Sequence, residues 1–233
     1  MPRSDRENTL HPRVHRGCRK NPMHTHLIPR VVITTLVLLL STAAIALTGG
    51  CSHGHRPGSS PVGTDVHAAP THVRWSQFEG MSVPVADQGP ARDNGTVAAG
   101  YTRTPAGAAL AAIGTTIRMS LADDTHYPQI GQLLAAGPGR DAWAIARAQI
   151  SIQGPIAAGS APHLMGYRIT TWTPERVVVA IYTRQSDRSL TANTATVVWT
   201  AGDWKLALPA PPGGGLVTAV TSTPPDMVAL AQP

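Results

Sequence analysis

The sequence has few charged residues, few aromatic residues and only two cysteines, Cys18 and Cys51. Charged residues make up 14% of the 233 residues, and aromatic residues make up 4%. No cysteine follows Cys51, so the part of the chain beyond it contains no disulfide, no metal-thiolate site and no catalytic cysteine. A folded core there must be built mainly from Val, Ile, Leu and Ala and held together by burial.

Basic residues are scarce outside the first part of the chain. The formal net charge is +6, but residues 1–30 alone contain seven Lys or Arg against two acidic residues. From Cys51 onward, twelve basic residues face eleven acidic ones. A groove that neutralises several phosphates needs clustered Arg or Lys within the domain itself. The charge pattern therefore argues against direct nucleic-acid binding by the folded part. The scarcity of Lys beside Arg is typical of a GC-rich genome, such as that of an actinomycete.

One long uncharged run, VVITTLVLLLSTAAIAL at residues 31–47, follows directly after Arg30. As a helix it would be about 26 Å long, just short of a hydrocarbon core of about 30 Å. The run leads into Thr48-Gly-Gly-Cys51, and a basic flank, an apolar stretch, small residues and then Cys is the layout of a lipoprotein signal peptide. This layout predicts lipidation at Cys51.

An uncleaved signal anchor is the alternative, because Leu47 lies one position earlier than in the usual lipobox. Translation from Met23 would leave a short lipoprotein leader, whereas translation from Met1 would give a long basic tail that favours the anchor. Both alternatives predict that the membrane holds the domain and that the domain lies on the extracytoplasmic face of the cell membrane.

Composition divides the chain into five predicted regions. The stretch after Cys51 is rich in Gly, Pro, Ser and His, as in a flexible spacer. His53 and His55 within it could bind a transition metal only weakly without further ligands, and a solvated linker is the simpler interpretation. The regions are a basic tail (1–30), a signal or anchor segment (31–50), a linker (51–72), an α+β domain (73–208) and a Pro/Gly-rich tail (209–233).

The first half of the domain has helical periodicity. Thr104 and Pro105 have the residue types of an N-cap and a first helical residue, and apolar residues then recur at three- and four-residue steps to Leu121. These features predict a helix over 104–121. Two shorter helices are predicted at 128–136 and 140–150, with Gly137-Pro138-Gly139 breaking the chain between them.

The second half is rich in β-branched and aromatic residues. It predicts strands at 165–172, 175–185, 191–200 and 203–208, with an edge strand at 216–220. Helices followed by antiparallel strands indicate an α+β domain. We expect helices on one face of a curved antiparallel sheet, a cone of the nuclear-transport-factor-like or cystatin-like kind.

Catalytic motifs are missing. The sequence contains no GxSxG, HExxH, Walker-type loop, GxGxxG or CxxC. Asp123, Asp124 and His126 could serve a metal or acid–base chemistry, but capping of a helix end is the simpler interpretation. Ser160 and His163 do not form a triad by spacing, and Asp203-Trp204 reads as a turn followed by a strand rather than as a sugar-stacking pair. We expect no enzyme activity, no cofactor and no metal site.

Two arginines beside apolar elements, Arg103 and Arg176, are candidate partner contacts, although solvated arginines are common. If the sheet encloses a hollow, large aromatic residues should line it. Those candidate ligand contacts are Trp172, Tyr182, Trp199 and Trp204.

Several short motifs together resemble one family. They are WxQFEG from Trp75, Gly89-Pro90, GYTRTPAGAALAA from Gly100, GYRIxxWTPER from Gly166 and VVWTAGDWKL from Val197. The chain is similar over 73–208 to uncharacterised actinobacterial proteins that are membrane-anchored or lipidated and are met among genes of conjugative and integrative elements. The resemblance carries over no catalytic residues.

The resemblance and the expected fold lead to two hypotheses of function. By analogy with periplasmic subunits of type IV secretion systems, the first is a non-enzymatic scaffold or accessory protein of a transfer or envelope machinery, which acts by binding other envelope proteins. The alternative is a lipoprotein that binds a small molecule in the hollow of the sheet. An enzyme of the same fold is a third hypothesis.

Overall fold

A computed structural model describes residues 65–210 and 215–232. The basic tail, the apolar run, Met23, Cys51, His53 and His55 lie outside these residues. The elements in chain order are β1 (Arg74–Phe78), β2 (Met81–Val85), β3 (Arg92–Asp93), β4 (Ala98–Ala99), α1 (Pro105–Leu121), α2 (Tyr127–Ile130), a 3-10 turn (Gly131–Leu133), α3 (Pro138–Arg147), β5 (His163–Trp172), β6 (Arg176–Arg184), β7 (Leu190–Thr200), β8 (Asp203–Ala207), β9 (Val217–Val220) and β10 (Val228–Ala229).

Six of the strands form one antiparallel sheet in the order β10-β5-β6-β7-β8, with β9 also paired to β7. Strands β8 and β9 pair with different parts of β7: β8 with Thr196–Thr200 and β9 with Leu190–Asn193. The hairpin β1–β2 and the short pair β3–β4 are separate. The described part is therefore an α+β domain with an open antiparallel sheet, which confirms the predicted class.

Alternation along the central strands explains which face of the sheet is buried. In β6, Val177, Val179 and Ile181 are at most 4% exposed and belong to the main core cluster together with α1 residues. Residues two apart in a strand point to the same face, so these three define the face that packs on α1. Burial of branched apolar side chains on this face stabilises the sheet, at about 1.5–3 kcal/mol for each fully buried side chain.

Helix α1 crosses this face and confirms the helix predicted at 104–121. The Thr104 hydroxyl accepts a hydrogen bond from the Gly107 N–H at 3.1 Å, and Pro105 begins the helix where no N–H is needed. The helix is buried on nearly all sides, because it lies between the β1–β2 hairpin and the sheet. At Gly107 a Cβ atom would collide with the Thr102 carbonyl oxygen. Only a residue without a side chain fits there.

The two short helices differ from their predicted bounds. The predicted helix at 128–136 is a single helical turn, Tyr127–Ile130, followed by a 3-10 turn. The break between the helices lies at residues 134–137 instead of at Gly137-Pro138-Gly139, because Pro138, its first residue, and Gly139 already belong to α3. Proline suits that position, since its fixed φ angle is helical and its missing N–H has no partner there anyway. Helix α3 ends at Arg147, three residues before the predicted end.

The segments flanking the predicted domain bounds also pack on the domain. The pairing of β9 with β7 confirms the edge strand predicted at 216–220. Strand β10 was not predicted, and it pairs with β5. Val228 and Leu230 are buried, and the Trp75 indole N–H donates to the Ala231 carbonyl at 3.1 Å. Before β1, the Thr71 hydroxyl donates to the Asp87 carboxylate at 2.9 Å. The ordered structure thus extends beyond 73–208 on both sides.

Within residues 65–210 and 215–232, no helix is both long enough and apolar enough to cross a membrane.

Candidate functional site

The space between α1 and the sheet has two ends, and one of them is filled by three indole rings. Trp172, Trp199 and Trp204, here called the tryptophan cluster, lie where β5 ends, β7 ends and β8 begins. The Trp204 ring centroid is 5.3 Å from that of Trp199, edge to face, and 6.1 Å from that of Trp172. Trp204 is 2% exposed, and its indole N–H donates to the Thr102 carbonyl at 2.9 Å. Such aromatic packing stabilises this end.

Arg103 lies against the tryptophan cluster. Its guanidinium carbon is 5.4 Å from the centre of the Trp199 ring, a cation–π distance. Its Nε donates to the Pro174 carbonyl at 2.9 Å, and one terminal nitrogen donates to the Glu175 carboxylate at 2.9 Å. The turn between β5 and β6 and the segment before α1 are thereby joined across the cluster. Arg103 thus has partners within the domain.

Asp203 holds the chain that leads into α1. Its carboxylate is 6% exposed and accepts three backbone N–H groups, from Gly100 at 2.7 Å, Tyr101 at 3.1 Å and Trp204 at 2.9 Å. A buried carboxylate is stable in such a place only when its oxygens are hydrogen-bonded. Asp203 and Trp204 are both residues of β8, so Asp203 begins the strand just after the turn at Ala201-Gly202 instead of lying in it. Its carboxylate binds a segment about a hundred residues earlier.

The opposite end of the same space is an open apolar pocket of about 200 Å³. It lies where α1 ends and where β5, β6 and β7 run past the helix. The pocket is lined chiefly by aliphatic side chains from α1, the sheet and the loop before β5: Met81, Ile113, Ile117, Leu121, Ile156, Leu164, Ile181 and Val217. We call it the apolar pocket.

One side of the apolar pocket is polar. The Gln185 amide donates to the Thr183 hydroxyl at 3.0 Å and to the Thr191 hydroxyl at 2.9 Å. The two hydroxyls are 2.8 Å apart and bond each other. Asn193 also lines this side. A carbonyl oxygen of the amide and the remaining lone pairs of the hydroxyls stay available, so a ligand with one polar group could bond here. This arrangement is typical of small-molecule sites, where a few polar groups orient an apolar ligand.

The predicted site residues do not converge on the pocket. Trp172, Trp199 and Trp204 pack on one another at the other end. Tyr182 is 8% exposed and alternates with the pocket residue Ile181, so it lies on the opposite face of the sheet. None of these four aromatic residues lines the apolar pocket; aliphatic residues and a Thr–Gln–Thr group line it instead.

Arg176 is exposed at the start of β6. It lines a separate cleft of about 210 Å³ together with Leu208 and Leu216.

Two other arginines are buried, and sequence reasoning missed their roles. Arg118 in α1 donates to the Asp93 carboxylate at 2.6 Å and lies 5.2 Å from the centre of the Phe78 ring. Close by, burial raises the pKa of the Tyr101 phenol well above its usual range. A charged residue in the last turn of a small-residue helix was the only available signal, and it does not reveal a partner 25 residues earlier.

Arg147 joins three segments at the end of α1. It donates to the Ala122 carbonyl at 2.8 Å, the Ile150 carbonyl at 2.8 Å and the Asp124 carboxylate at 2.9 Å. The Asp124 carboxylate also accepts the Ser151 hydroxyl and the Ile152 N–H, and these hydrogen bonds lower its pKa to about 2. Asp124 is thus a structural acid that pairs with a buried arginine.

Asp123 forms hydrogen bonds within the loop between α1 and α2. One carboxylate oxygen accepts the Thr125 N–H at 2.9 Å, the Thr125 hydroxyl at 2.7 Å and the His126 N–H at 2.9 Å. The Thr125 hydroxyl contributes most to lowering the pKa of Asp123, and the backbone N–H groups lower it further. Asp123 therefore stabilises a loop, as the simpler interpretation of the sequence had it in part, but its side chain does not cap α1 or α2. The Glu79 side chain, from the β1–β2 turn, lies close to Asp123 and His126. One carboxylate or imidazole atom of each of the three residues lies within 4.8 Å of those of the other two.

Ser160 and His163 lie in the loop before β5 and at its first residue. Within the described ranges, no side-chain hydrogen bond joins either of them to a carboxylate, and they form no triad.

A family model matches residues 41–225 of the chain, and its description is a domain of unknown function, DUF8175. The match covers more than half of the chain and includes Cys51 and every element up to β9. Comparison with curated proteins gives no match, and comparison with solved structures gives none either. The chain belongs to the DUF8175 family.

Proposed function

We propose that this member of the DUF8175 family is a non-enzymatic binding protein, held at the extracytoplasmic face of the cell membrane. The apolar pocket would bind a small, mostly apolar molecule that carries one hydrogen-bonding group. The observation that supports this is the pairing of an aliphatic wall with the Thr183–Gln185–Thr191 group in an open space of about 200 Å³. A dry cavity of about 150 Å³ is large enough for benzene, so a ligand of roughly that size fits.

The binding test uses two matched probes, p-cresol and toluene, added to the full chain with labelled isoleucine methyl groups. Both rings fit the apolar wall, but only p-cresol has a hydroxyl for Gln185 and its neighbours. We expect saturable NMR shifts at Ile117 and Ile181 with both probes and tighter binding of p-cresol. Each good hydrogen bond contributes about 0.5–1.5 kcal/mol, which corresponds to a preference of roughly two- to tenfold.

Two variants make this test specific. Gln185→Leu should abolish the preference for p-cresol while leaving toluene binding in place. Ile156→Trp adds an indole at the half-buried loop wall and should weaken both probes. The absence of saturable shifts in the unmodified chain would contradict pocket binding, as would equal binding of p-cresol by the unmodified chain and the Ile156→Trp variant.

The membrane tether is part of the proposal and rests on the sequence of residues 31–51. Incorporation of a labelled acyl chain should occur in the unmodified chain and in Cys18→Ala, and should be lost in Cys51→Ala. Equal labelling of all three chains would end the lipoprotein alternative and leave the uncleaved anchor, which membrane extraction with alkaline carbonate would then test.

The shape that we infer for the sheet is compatible with the same function. We infer a cone of the nuclear-transport-factor-like or cystatin-like kind, because α1 crosses one face of an antiparallel sheet. Strand β5 has two register shifts, between Leu164 and Gly166 and between Ile169 and Thr171. Such bulges bend a strand and curve the sheet around what packs on it. Curvature of this kind would keep one end of the space open.

A scaffold or accessory role in conjugative transfer or envelope machinery is the second candidate function. One observation favours it: Ile145 and Ile150, on and after α3, are 65% and 58% exposed. Large apolar residues exposed together can mark a protein contact. Crosslinking in membranes should then recover other envelope proteins, and Ile145→Asp with Ile150→Asp should reduce that recovery. Recovery of the protein alone, under mild conditions, would contradict this role.

A further inference from the structure

A mixed cluster of two carboxylates and one imidazole lies beside the apolar pocket. Glu79 comes from the β1–β2 turn, and Asp123 and His126 come from the segment between α1 and α2. One ligand atom from each side chain lies within 4.8 Å of the others. Ligand atoms around a transition metal are typically about 3–4 Å apart, since each lies about 2.0–2.2 Å from the ion. Only a small adjustment of the side chains would bring all three onto one ion.

Separate contacts hold the three residues near one another. The Glu79 carbonyl accepts the Ile156 N–H at 2.9 Å, which holds the turn against the loop before β5. The Asp123 carboxylate accepts backbone and hydroxyl groups from Thr125 and His126. One oxygen takes all of these bonds and also lies 2.8 Å from the His126 ring Nδ1. The other Asp123 oxygen and the His126 Nε2 remain available.

No Arg or Lys of the described residues pairs with the two carboxylates of this cluster. Within residues 65–210 and 215–232, no Arg or Lys nitrogen lies within 4.0 Å of the Glu79 or Asp123 carboxylate. The neighbouring acid, Asp124, is different, because Arg147 pairs with it. Two carboxylates at half-buried positions without an Arg or Lys partner repel each other, and a divalent cation between them would remove that repulsion.

We propose that Glu79, Asp123 and His126 bind a divalent transition-metal ion. Two carboxylates and one imidazole suit Mn²⁺, Fe²⁺ or Zn²⁺, whereas Ca²⁺ and Mg²⁺ favour oxygen ligands alone. Three protein ligands leave coordination positions for water or another small ligand. The apolar pocket is adjacent through the chain, because Leu121 and Ile156 line it. The metal site goes beyond the proposed binding function and does not depend on it.

Titration with Mn²⁺ tests the site, with the loss of the free-ion EPR signal as the readout and Zn²⁺ as a competitor. The full chain carries a His53→Ala and His55→Ala double substitution, because these two histidines could bind metal on their own. We expect one saturable site and displacement of Mn²⁺ by Zn²⁺. Glu79→Gln should weaken Mn²⁺ binding at least tenfold, since a carboxylate ligand is replaced by a neutral amide of the same size.

Glu79→Gln is the informative variant, because the Glu79 side chain makes no hydrogen bond within the described residues and the fold does not depend on its charge. His126→Ala should cause a similar loss, with circular dichroism as a check on folding. Asp187→Asn is the matched control. The Asp187 carboxylate also accepts a hydrogen bond from a nearby hydroxyl, that of Ser189, but it does not belong to the cluster of Glu79, Asp123 and His126. Absence of a saturable site, an unchanged affinity in Glu79→Gln, or an equal loss in Asp187→Asn would overturn the proposal.

Discussion

The two ends of the space between α1 and the sheet are built from different residue types. At the end near the start of α1, three indole rings pack on one another, the buried Asp203 carboxylate accepts backbone N–H groups, and Arg103 lies over the Trp199 ring. At the end near Leu121, aliphatic side chains surround an opening of about 200 Å³ with a polar side. The same helix and the same strands therefore provide both a packed end and an open end.

The difference suggests a division between the two ends: the packed end stabilises the fold, and the open end is the place of the proposed ligand binding. Large aromatic residues bury much area and exclude solvent, so they stabilise the sheet against α1. Smaller aliphatic residues and threonines leave room, which costs stability but provides a place for a ligand. Substitutions at the packed end should therefore affect folding, and those at the open end should affect binding.

Trp204→Ala should have the largest effect. The change removes a fully buried indole, its contacts with Trp172 and Trp199 and its bond to the Thr102 carbonyl. We expect the free energy of unfolding to fall by about 3–5 kcal/mol, as for other buried aromatic residues replaced by alanine. Urea denaturation measures it. Ile145→Ala, at an exposed position, is the control and should change stability by less than about 0.5 kcal/mol. Similar small changes in both variants would contradict a tightly packed cluster.

Asp203→Asn should come next. The substitution replaces one carboxylate oxygen by an amide nitrogen, so one of the N–H groups of Gly100 and Tyr101 then faces a donor. Hydrogen bonds to charged groups contribute about 1.5–3 kcal/mol, and we expect the free energy of unfolding to fall by that amount. The exposed Asp187→Asn variant should change it far less. Hydrogen exchange at the Gly100 and Tyr101 amides should speed up in Asp203→Asn only. Unchanged exchange would show that the carboxylate does not hold this segment.

Alkaline pH should weaken the packed end through Tyr101. Burial raises the pKa of this phenol above its usual value of 10.0. In the unfolded chain the phenol ionises near pH 10, whereas in the folded domain it resists ionisation. Its contribution to stability is therefore complete below pH 10 and is lost as the pH rises through the folded pKa, at up to about 1.4 kcal/mol per pH unit.

Tyr101→Phe should make the loss of stability between pH 10 and pH 11 less steep, as measured by urea midpoints. Some slope should remain, because burial also raises the pKa of Tyr167. An identical slope in the variant would show that Tyr101 does not titrate with unfolding.

Gln185→Leu should have the smallest effect on stability. The amide loses its two bonds to Thr183 and Thr191, but the two hydroxyls keep bonding each other, and the group lies at an open end. We expect the free energy of unfolding to change by no more than about 0.5–1 kcal/mol. A loss as large as that of Asp203→Asn would show that the polar side of the apolar pocket is structural and would weaken the proposed binding function.

Features set by nearby residues could be predicted from the sequence. The Thr104 cap, the first-turn Pro105 and the apolar period to Leu121 are local signals, and the structure has that helix at nearly the predicted bounds. The four main strands also agree within about two residues, because β-branched residues and turn residues alternate clearly there. The break predicted at Gly137-Pro138-Gly139 was misplaced because proline both breaks helices and begins them, and the neighbouring residues do not distinguish the two cases.

Features set by distant residues could not be predicted. The bond from Asp203 to Gly100 spans 103 residues, and the indole bond from Trp75 to Ala231 spans 156. Strand β10 has only two residues, so no periodicity marks it before β5 is in place. The same applies to the apolar pocket and to Glu79 beside Asp123 and His126, since each is assembled from separate segments of the chain.

The pairing of β10 with β5 has a consequence for when the domain can fold during its synthesis. Residues 228–229 complete one edge of the sheet, and Ala231 accepts the hydrogen bond from Trp75 in the first strand. A chain emerging from the ribosome cannot make these contacts until residues 228–231 have been synthesised. Because contacts between distant residues slow folding, we expect the nascent domain to remain incompletely folded until these residues have left the ribosome. Partners or chaperones that bind unfinished chains would therefore have a long interval in which to act.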